Sequence, residues 1–152
     1  MINKAELKQQ TLFSELNDAE LDVIANNVVP EEHAKGATIF SEGDPTKGLY
    51  LIRKGKIEIS KITPDGWKQT LAVLPQNFFF GELSVVEGRK IHAADATAID
   101  DTFCFLFPKD DLLKLETSSP ALMYKIMRAI ARTASRNVHS MNDKLLKLLI
   151  SY

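Results

Sequence analysis

A glycine followed by a carboxylate and a hydroxyl side chain is the clearest candidate for chemistry in this sequence. Gly81-Glu82-Leu83-Ser84 comes directly after three phenylalanines and opens a short apolar stretch that could make one helical turn. Glycine lets a ligand approach the backbone closely, and the first N–H groups of a helix can bind an anion. Glu82 can accept a hydrogen bond from a sugar hydroxyl, or it can simply favour the helix start. An anion site beside a hydroxyl acceptor suits a phosphorylated sugar.

Other kinds of reactive site find little support. A metal-dependent enzyme of the cupin type needs clustered histidines with a carboxylate, but His33, His92 and His139 fall on three different predicted elements. No nucleophile elbow or P-loop is present. Cys104 is the single cysteine, so no intrachain disulfide can form, and its strand-like surroundings predict a buried thiol. We therefore expect no catalytic residues, no metal and no cofactor.

Glycine spacing indicates the elements that must position the candidate site. All seven glycines lie between Gly36 and Gly88 with short apolar runs between them, a pattern typical of antiparallel strands with tight turns. Pro64-Asp65-Gly66 predicts a hairpin turn, because proline fixes φ and glycine takes the left-handed position. The candidate strands are Thr38–Phe40, Leu49–Arg53, Lys56–Ile62, Gln69–Leu74, Ala93–Ile99 and Thr102–Phe107.

Helical periodicity flanks this β region on both sides. Residues 5–28 are predicted to be mostly helical, with a second helix beginning after Asn17, whose spacing to Glu20 resembles a capping box. Pro30 is expected to end that helix.

After Pro120 a near-heptad apolar seam runs through one predicted helix of ~30 residues, ~45 Å long. Its members are Met123, Met127, Ile130, Ala134, Val138, Met141, Leu145 and Leu148. The favoured interpretation is a parallel helix-pair homodimer; the alternative is a helix folded back on its own β domain.

Composition limits the function classes. The 152 residues suit one domain, and 45% hydrophobic residues can form one core. A net charge of −1 excludes global electrostatic binding of nucleic acid, although residues 120–152 hold six basic residues and one acidic residue. That basic end is interpreted as a solvated helix face. No apolar run is long enough to span a membrane, and the polar start shows no signal core. We therefore expect a cytoplasmic protein without membrane contact.

Taken together, these segments resemble the cyclic nucleotide-binding domain of the catabolite-activator type over nearly the whole chain. GLYLIRKGKIEIS is similar to the family's central hairpin, and DGWKQTLAVLPQNFFFGELSVVEG to the approach to its phosphate-binding cassette. HAADATA is similar to the strand after the cassette. The resemblance implies a mainly β fold with flanking helices, namely a jelly-roll-type β-roll followed by a long C-terminal helix. Residues 1–119 would form the ligand-binding domain and residues 120–152 the dimerisation helix.

The resemblance also implies a ligand site for cyclic AMP or a related anionic molecule. Gly81, Leu83 and Ser84 would line the phosphate end, and Glu82 would accept from the ribose 2′-hydroxyl. The remaining implied ligand contacts are Leu71 and Val73 on the β-roll wall, His92 and Ala93 after the cassette, and Asn137 on the long helix, with Thr133 and Arg136 nearby.

One position departs from the family motif. The family places an arginine eleven residues after the cassette glycine, where this chain has His92. Arginine holds a phosphate with a permanent charge and a planar fork, whereas histidine is mostly neutral at pH 7. Arg89 and Lys90 could substitute for that arginine, or could be solvated turn residues.

The favoured function is a cyclic nucleotide sensor that signals through its long helix.

The alternative is a degenerate β-roll that serves as a ligand-free dimerisation or interaction module. Family activators carry a helix-turn-helix after the long helix. The given chain has no residues for one beyond Tyr152, so we expect no direct DNA binding by this chain.

Overall fold

A computed structural model of the chain describes residues 2–151, which fold as two antiparallel sheets with helices around them. The strands are β1 (Val29–His33), β2 (Thr38–Phe40), β3 (Gly48–Lys54), β4 (Ile57–Ile62), β5 (Lys68–Leu74), β6 (Phe79–Phe80), β7 (Asp95–Ala98) and β8 (Thr102–Pro108). Strand order is β1-β8-β3-β6 in the first sheet and β2-β7-β4-β5 in the second. The expected β-roll is therefore confirmed.

Helices cover one sheet and extend beyond it. They are α1 (Lys4–Lys8), α2 (Asp18–Asn27), α3 (Glu82–Val86), α4 (Lys109–Ser118) and α5 (Pro120–Ile150), with a 3₁₀ turn at Thr11–Phe13. The predicted capping box starts α2: Asn17 Oδ1 accepts from Glu20 N at 2.9 Å, and Asn17 N donates to Glu20 Oε1 at 2.9 Å. Of the helices within residues 2–151, none is long and apolar enough to cross a bilayer.

The first sheet is buried on both faces, which fixes two separate cores. Along β3, Leu49 and Leu51 pack with the helices, whereas Tyr50 and Ile52 pack between the two sheets. This follows from the period-2 alternation of a strand.

Cys104 lies in the core between the sheets, where burial raises the pKa of its thiol to about 12. The prediction of a buried, unreactive cysteine is consistent with this position.

Two local predictions needed correction. Helix α2 ends at Asn27, before Pro30, as predicted, but Pro30 then lies within β1, a strand that is not among the predicted ones. That strand is at the edge of its sheet and pairs only with β8, where a missing N–H is tolerated. The strand expected from Ala93 begins instead at Asp95. The predicted hairpin joins β4 to β5, with Gly66 at φ +85°.

Helix α5 has two different halves. It begins at Pro120, as expected, and its 31 residues correspond to a rod of about 46 Å. The first half packs on the chain's own core through Met123, Ile126 and Ile130. Every residue from Ala134 to Ile150 is exposed. The first part of the near-heptad seam thus packs on the chain's own core, as in the alternative interpretation. Its distal part has no partner among the described residues.

Candidate ligand-binding site

The segment Gly81–Gly88, here called the cassette, is held by a close approach between two backbones. Gly81 adopts φ +80°, a conformation that glycine takes without steric cost. A Cβ at this position would lie 2.9 Å from the carbonyl oxygen of Gly48, at the start of β3. The cassette closes at Gly88, with φ +65°, and Arg89 N donates to Ser84 O at 2.8 Å. The sequence therefore needs glycine at 81 to seat α3 against the sheet.

One cavity of about 640 Å³ lies between the β-roll and α5, and the cassette forms part of its wall. This volume is within the usual range for small-molecule sites. Eight of the nine predicted ligand contacts line this cavity, namely Leu71, Gly81, Glu82, Leu83, Ser84, His92, Ala93 and Asn137. The structure therefore brings together residues that are up to 66 positions apart in the sequence.

Val73 is the one predicted contact that does not line the cavity, and strand pairing gives the reason. Val73 is paired with Glu58, whereas the neighbouring Ala72 and Leu74 line the cavity. Leu71 also lines the cavity, although regular alternation along a strand would place it on the same face as Val73. A register irregularity explains this difference: Ala72 pairs with Ile59 and Thr70 with Ser60, so that Leu71 is an extra residue in β5.

Glu82 is a carboxylate in a poorly solvated position. Burial raises the pKa of its side chain above the ordinary value, and its own backbone N–H acts in the opposite direction. Within residues 2–151 it forms no ion pair. A partly buried carboxylate without a cation is costly unless a donor reaches it. Glu82 is therefore suited to accept a hydrogen bond from a ligand hydroxyl.

His92 is buried and held in place from two sides. Its backbone N donates to Asp44 O at 2.8 Å, and its O accepts from Gly43 N at 2.9 Å. Its ring stacks on Phe40 with centroids 3.6 Å apart, and its Nε2 has no hydrogen-bond partner among the described residues. Burial lowers the pKa of this imidazole; Asp44 opposes the shift and Lys47 adds to it. His92 is therefore harder to protonate than an ordinary histidine, so it is mostly neutral at pH 7.

The cavity's positive charges come from α5 instead of the cassette. Neither Arg89 nor Lys90 lines the cavity, and Arg89 contacts Glu87. Its basic lining residues are Lys125, Arg132 and Arg136, all on α5.

Two of these α5 cations are already paired. Lys125 Nζ lies 2.6 Å from Glu20 Oε1, and Arg132 Nη1 lies 2.7 Å from Glu15 Oε1. Arg136 forms no ion pair with any residue between 2 and 151.

Several lining residues were not predicted from the sequence. The helical lead-in contributes Thr11, Leu12, Ser14 and Glu15, and the β-roll adds the aromatic residues Phe40, Phe78, Phe79 and Phe80. Thr133 and Arg136, expected near Asn137, do line the cavity. The i, i+4 spacing of Arg132 and Arg136, and of Thr133 and Asn137, is the sequence signal that places them on one helix face.

The described residues give no support to a metal site. Between residues 2 and 151, no three His, Cys, Asp or Glu side chains are grouped so that they could hold a metal ion.

Comparisons with known proteins agree with this architecture. Residues 30–119 match the family model for the cyclic nucleotide-binding domain. The chain is 26% identical over 137 residues to the CRP-like cAMP-activated global transcriptional regulator of Mycobacterium tuberculosis, covering 90% of this chain and 61% of the relative. It is 30% identical over 127 residues to the cyclic AMP receptor protein of Thermus thermophilus, covering 83% and 58% respectively.

The crystal structure of Thermus thermophilus catabolite activator protein superposes with a TM-score of 0.76 at 27% identity. The superposition covers 91% of this chain and 63% of that one. The chain thus spans about six tenths of the length of these curated relatives. The family match covers more than half of the sequence and includes the β-roll and the cassette, so this chain belongs to the cyclic nucleotide-binding domain family.

Proposed function

We propose that this chain is a sensor domain that binds cyclic AMP or a related anionic ligand between its β-roll and α5. The observation that carries the proposal is the cavity of about 640 Å³, whose wall joins the cassette to α5. Two relatives named for cyclic AMP support the choice of nucleotide. Those relatives are named as regulators, and we propose a regulatory, non-enzymatic role here as well.

The lining residues divide into parts that suit the parts of a nucleotide. Glu82 accepts a hydrogen bond from the ribose hydroxyl, which adds a donor to a partly buried carboxylate that has no cationic partner among residues 2–151. The phenylalanines of the cavity offer apolar surface to the base. Asn137 and Thr133 on α5 present side-chain donors and acceptors to the same ligand.

Signalling follows from the position of the cavity between two elements. A ligand that contacts both the β-roll and α5 favours the arrangement in which the helix lies over the cavity, and shifts the population by its differential affinity for that arrangement. The contact between the lead-in and α5, through Glu15 and Arg132, already belongs to this arrangement.

The distal half of α5 is proposed to pair with a second copy of this chain. Val138, Met141, Leu145 and Leu148 are 54–67% exposed and continue the seam. Apolar residues at this spacing are stabilised by a facing helix. Because Met141 also lines the cavity, ligand and partner helix would meet on the same turn of α5.

The test is the substitution Glu82→Gln, compared with Glu87→Gln on the same cassette. Glu87 does not line the cavity and contacts Arg89. By calorimetric titration with cyclic AMP, we expect Glu82→Gln to weaken binding at least about tenfold, because a hydrogen bond to a charged acceptor is lost. Glu87→Gln should bind like the wild type. Equal affinity for all three proteins would contradict the assigned role of Glu82.

A second candidate function is a β-roll without a ligand that acts only as a dimerisation or interaction module. The observation that favours it is the neutral, stacked His92 at the position where the family motif has an arginine. This function predicts no heat and no change of melting temperature with millimolar cyclic AMP.

A further inference from the structure

Charge is distributed unevenly around the cavity. Its β-roll wall contributes no lysine or arginine, and its titratable groups there are Glu82 and the neutral His92. An anion at that end would face a carboxylate without a compensating cation. All positive lining charges lie across the cavity on α5. Attraction to an anionic ligand therefore comes from the helix side.

Arg136 is the α5 cation whose charge is free for a ligand. Lys125 is paired with Glu20 and Arg132 with Glu15, both at short distance. Arg136 lines the cavity one turn beyond Arg132 and has no acidic partner within residues 2–151. A guanidinium offers a planar fork of donors that matches phosphate oxygens. Its neighbour Asn137 lines the same cavity, so this turn of α5 presents both a charge and an amide.

We propose that Arg136 on α5 binds the anionic group of the ligand and replaces the arginine that the family motif has at the position of His92. The inference rests on the proposed function, since it assigns the charge partner within that same cavity. The inference has a consequence for signalling. Because the anion contacts α5 directly, the charged ligand contact is made to the helix that carries the signal, and not to the β-roll.

The test is calorimetric titration with cyclic AMP of the wild type and of four variants. Arg136→Gln should weaken binding by about tenfold or more, because a charge-assisted hydrogen bond is lost. Arg136→Lys should retain most of the affinity, since the charge remains. Arg89→Gln removes the basic residue beside the cassette, and Lys144→Gln removes a positive charge two turns further along α5. Both controls should bind within about twofold of the wild type. Arg136 is exposed, so we expect Arg136→Gln to fold with an unchanged melting temperature.

The outcomes separate this inference from the function on which it rests. If Arg136→Gln bound cyclic AMP as tightly as the wild type, or if Arg89→Gln lost affinity instead, the inference would be overturned and the sensor function would remain. An equal loss with Lys144→Gln would show only long-range attraction and would also overturn it. A wild type that neither releases heat nor melts at a higher temperature with millimolar cyclic AMP would overturn the proposed function, and the inference with it.

Discussion

Replacing Gly81 by alanine tests how the cassette is seated against the sheet. The substitution places a Cβ on a residue at φ +80°, where an L-residue loses about 1–2 kcal/mol. The new Cβ would also lie 2.9 Å from Gly48 O, a backbone atom. The Gly48 backbone has little room to move away, because it packs closely against Phe107. A Cβ built on Gly48 would lie 2.0 Å from the Phe107 carbonyl oxygen. We expect overpacking to add roughly 1–3 kcal/mol.

The matched control is Gly88→Ala at the other end of the cassette. Gly88 has a similar φ of +65°, but a Cβ there meets nothing within 4 Å. Gly88→Ala should therefore lose only the conformational part, about 1–2 kcal/mol of the free energy of unfolding. Gly81→Ala should lose about 2–5 kcal/mol in total.

Urea denaturation followed by circular dichroism measures both losses. Calorimetry should also show weaker cyclic AMP binding for Gly81→Ala, because Glu82 and Ser84 shift with the backbone. Equal destabilisation by the two substitutions would refute the close approach of Gly81 to β3.

The remaining predictions concern pH and assembly. Burial lowers the pKa of His92 in the folded state, so its contribution to stability is fully present above the unfolded pKa and is lost as pH falls through the folded pKa. The melting temperature of the wild type should therefore fall more steeply from pH 7 to pH 5 than that of His92→Gln; parallel curves would contradict the shift. Leu145→Lys should weaken self-association at least about tenfold in sedimentation equilibrium, because burying each leucine contributes roughly 1.5–3 kcal/mol. The off-seam substitution Ser140→Lys should leave self-association unchanged. A monomeric wild type would contradict the helix pairing.

Local chemistry explains which parts of the fold could be predicted. The capping box at Asn17 and Glu20 and the turn at Pro64-Asp65-Gly66 depend on neighbouring residues alone, and both are confirmed. Strand β1 was not predicted because it contains Pro30, which a strand tolerates only at the edge of a sheet, and the edge position of β1 is a property of the whole sheet. Val73 misled because the extra residue Leu71 reverses the alternation along β5, and nothing in the strand's composition marks that irregularity.

The site shows the same division. The cassette was predictable as a contiguous motif, and its first four residues line one cavity. The stacking of His92 on Phe40 depends on a contact between residues 52 positions apart in the sequence. The supply of positive charge by α5 depends on how that helix rotates over the β-roll and on which arginines meet Glu15. Periodicity fixes which residues share a helix face, but it does not fix which of those residues remain unpaired.

Titration calorimetry of the wild-type chain with cyclic AMP, at pH 6 and at pH 8, tests the account most directly. Because burial disfavours protonation of His92 and the positive charge comes from arginine, we expect binding with the same affinity, within about twofold, at both pH values. Binding that tightened strongly at pH 6 would make a protonated His92 the phosphate ligand and would contradict the assignment of the charge to α5. No heat at millimolar ligand, with an unmoved melting temperature, would contradict cyclic nucleotide sensing itself.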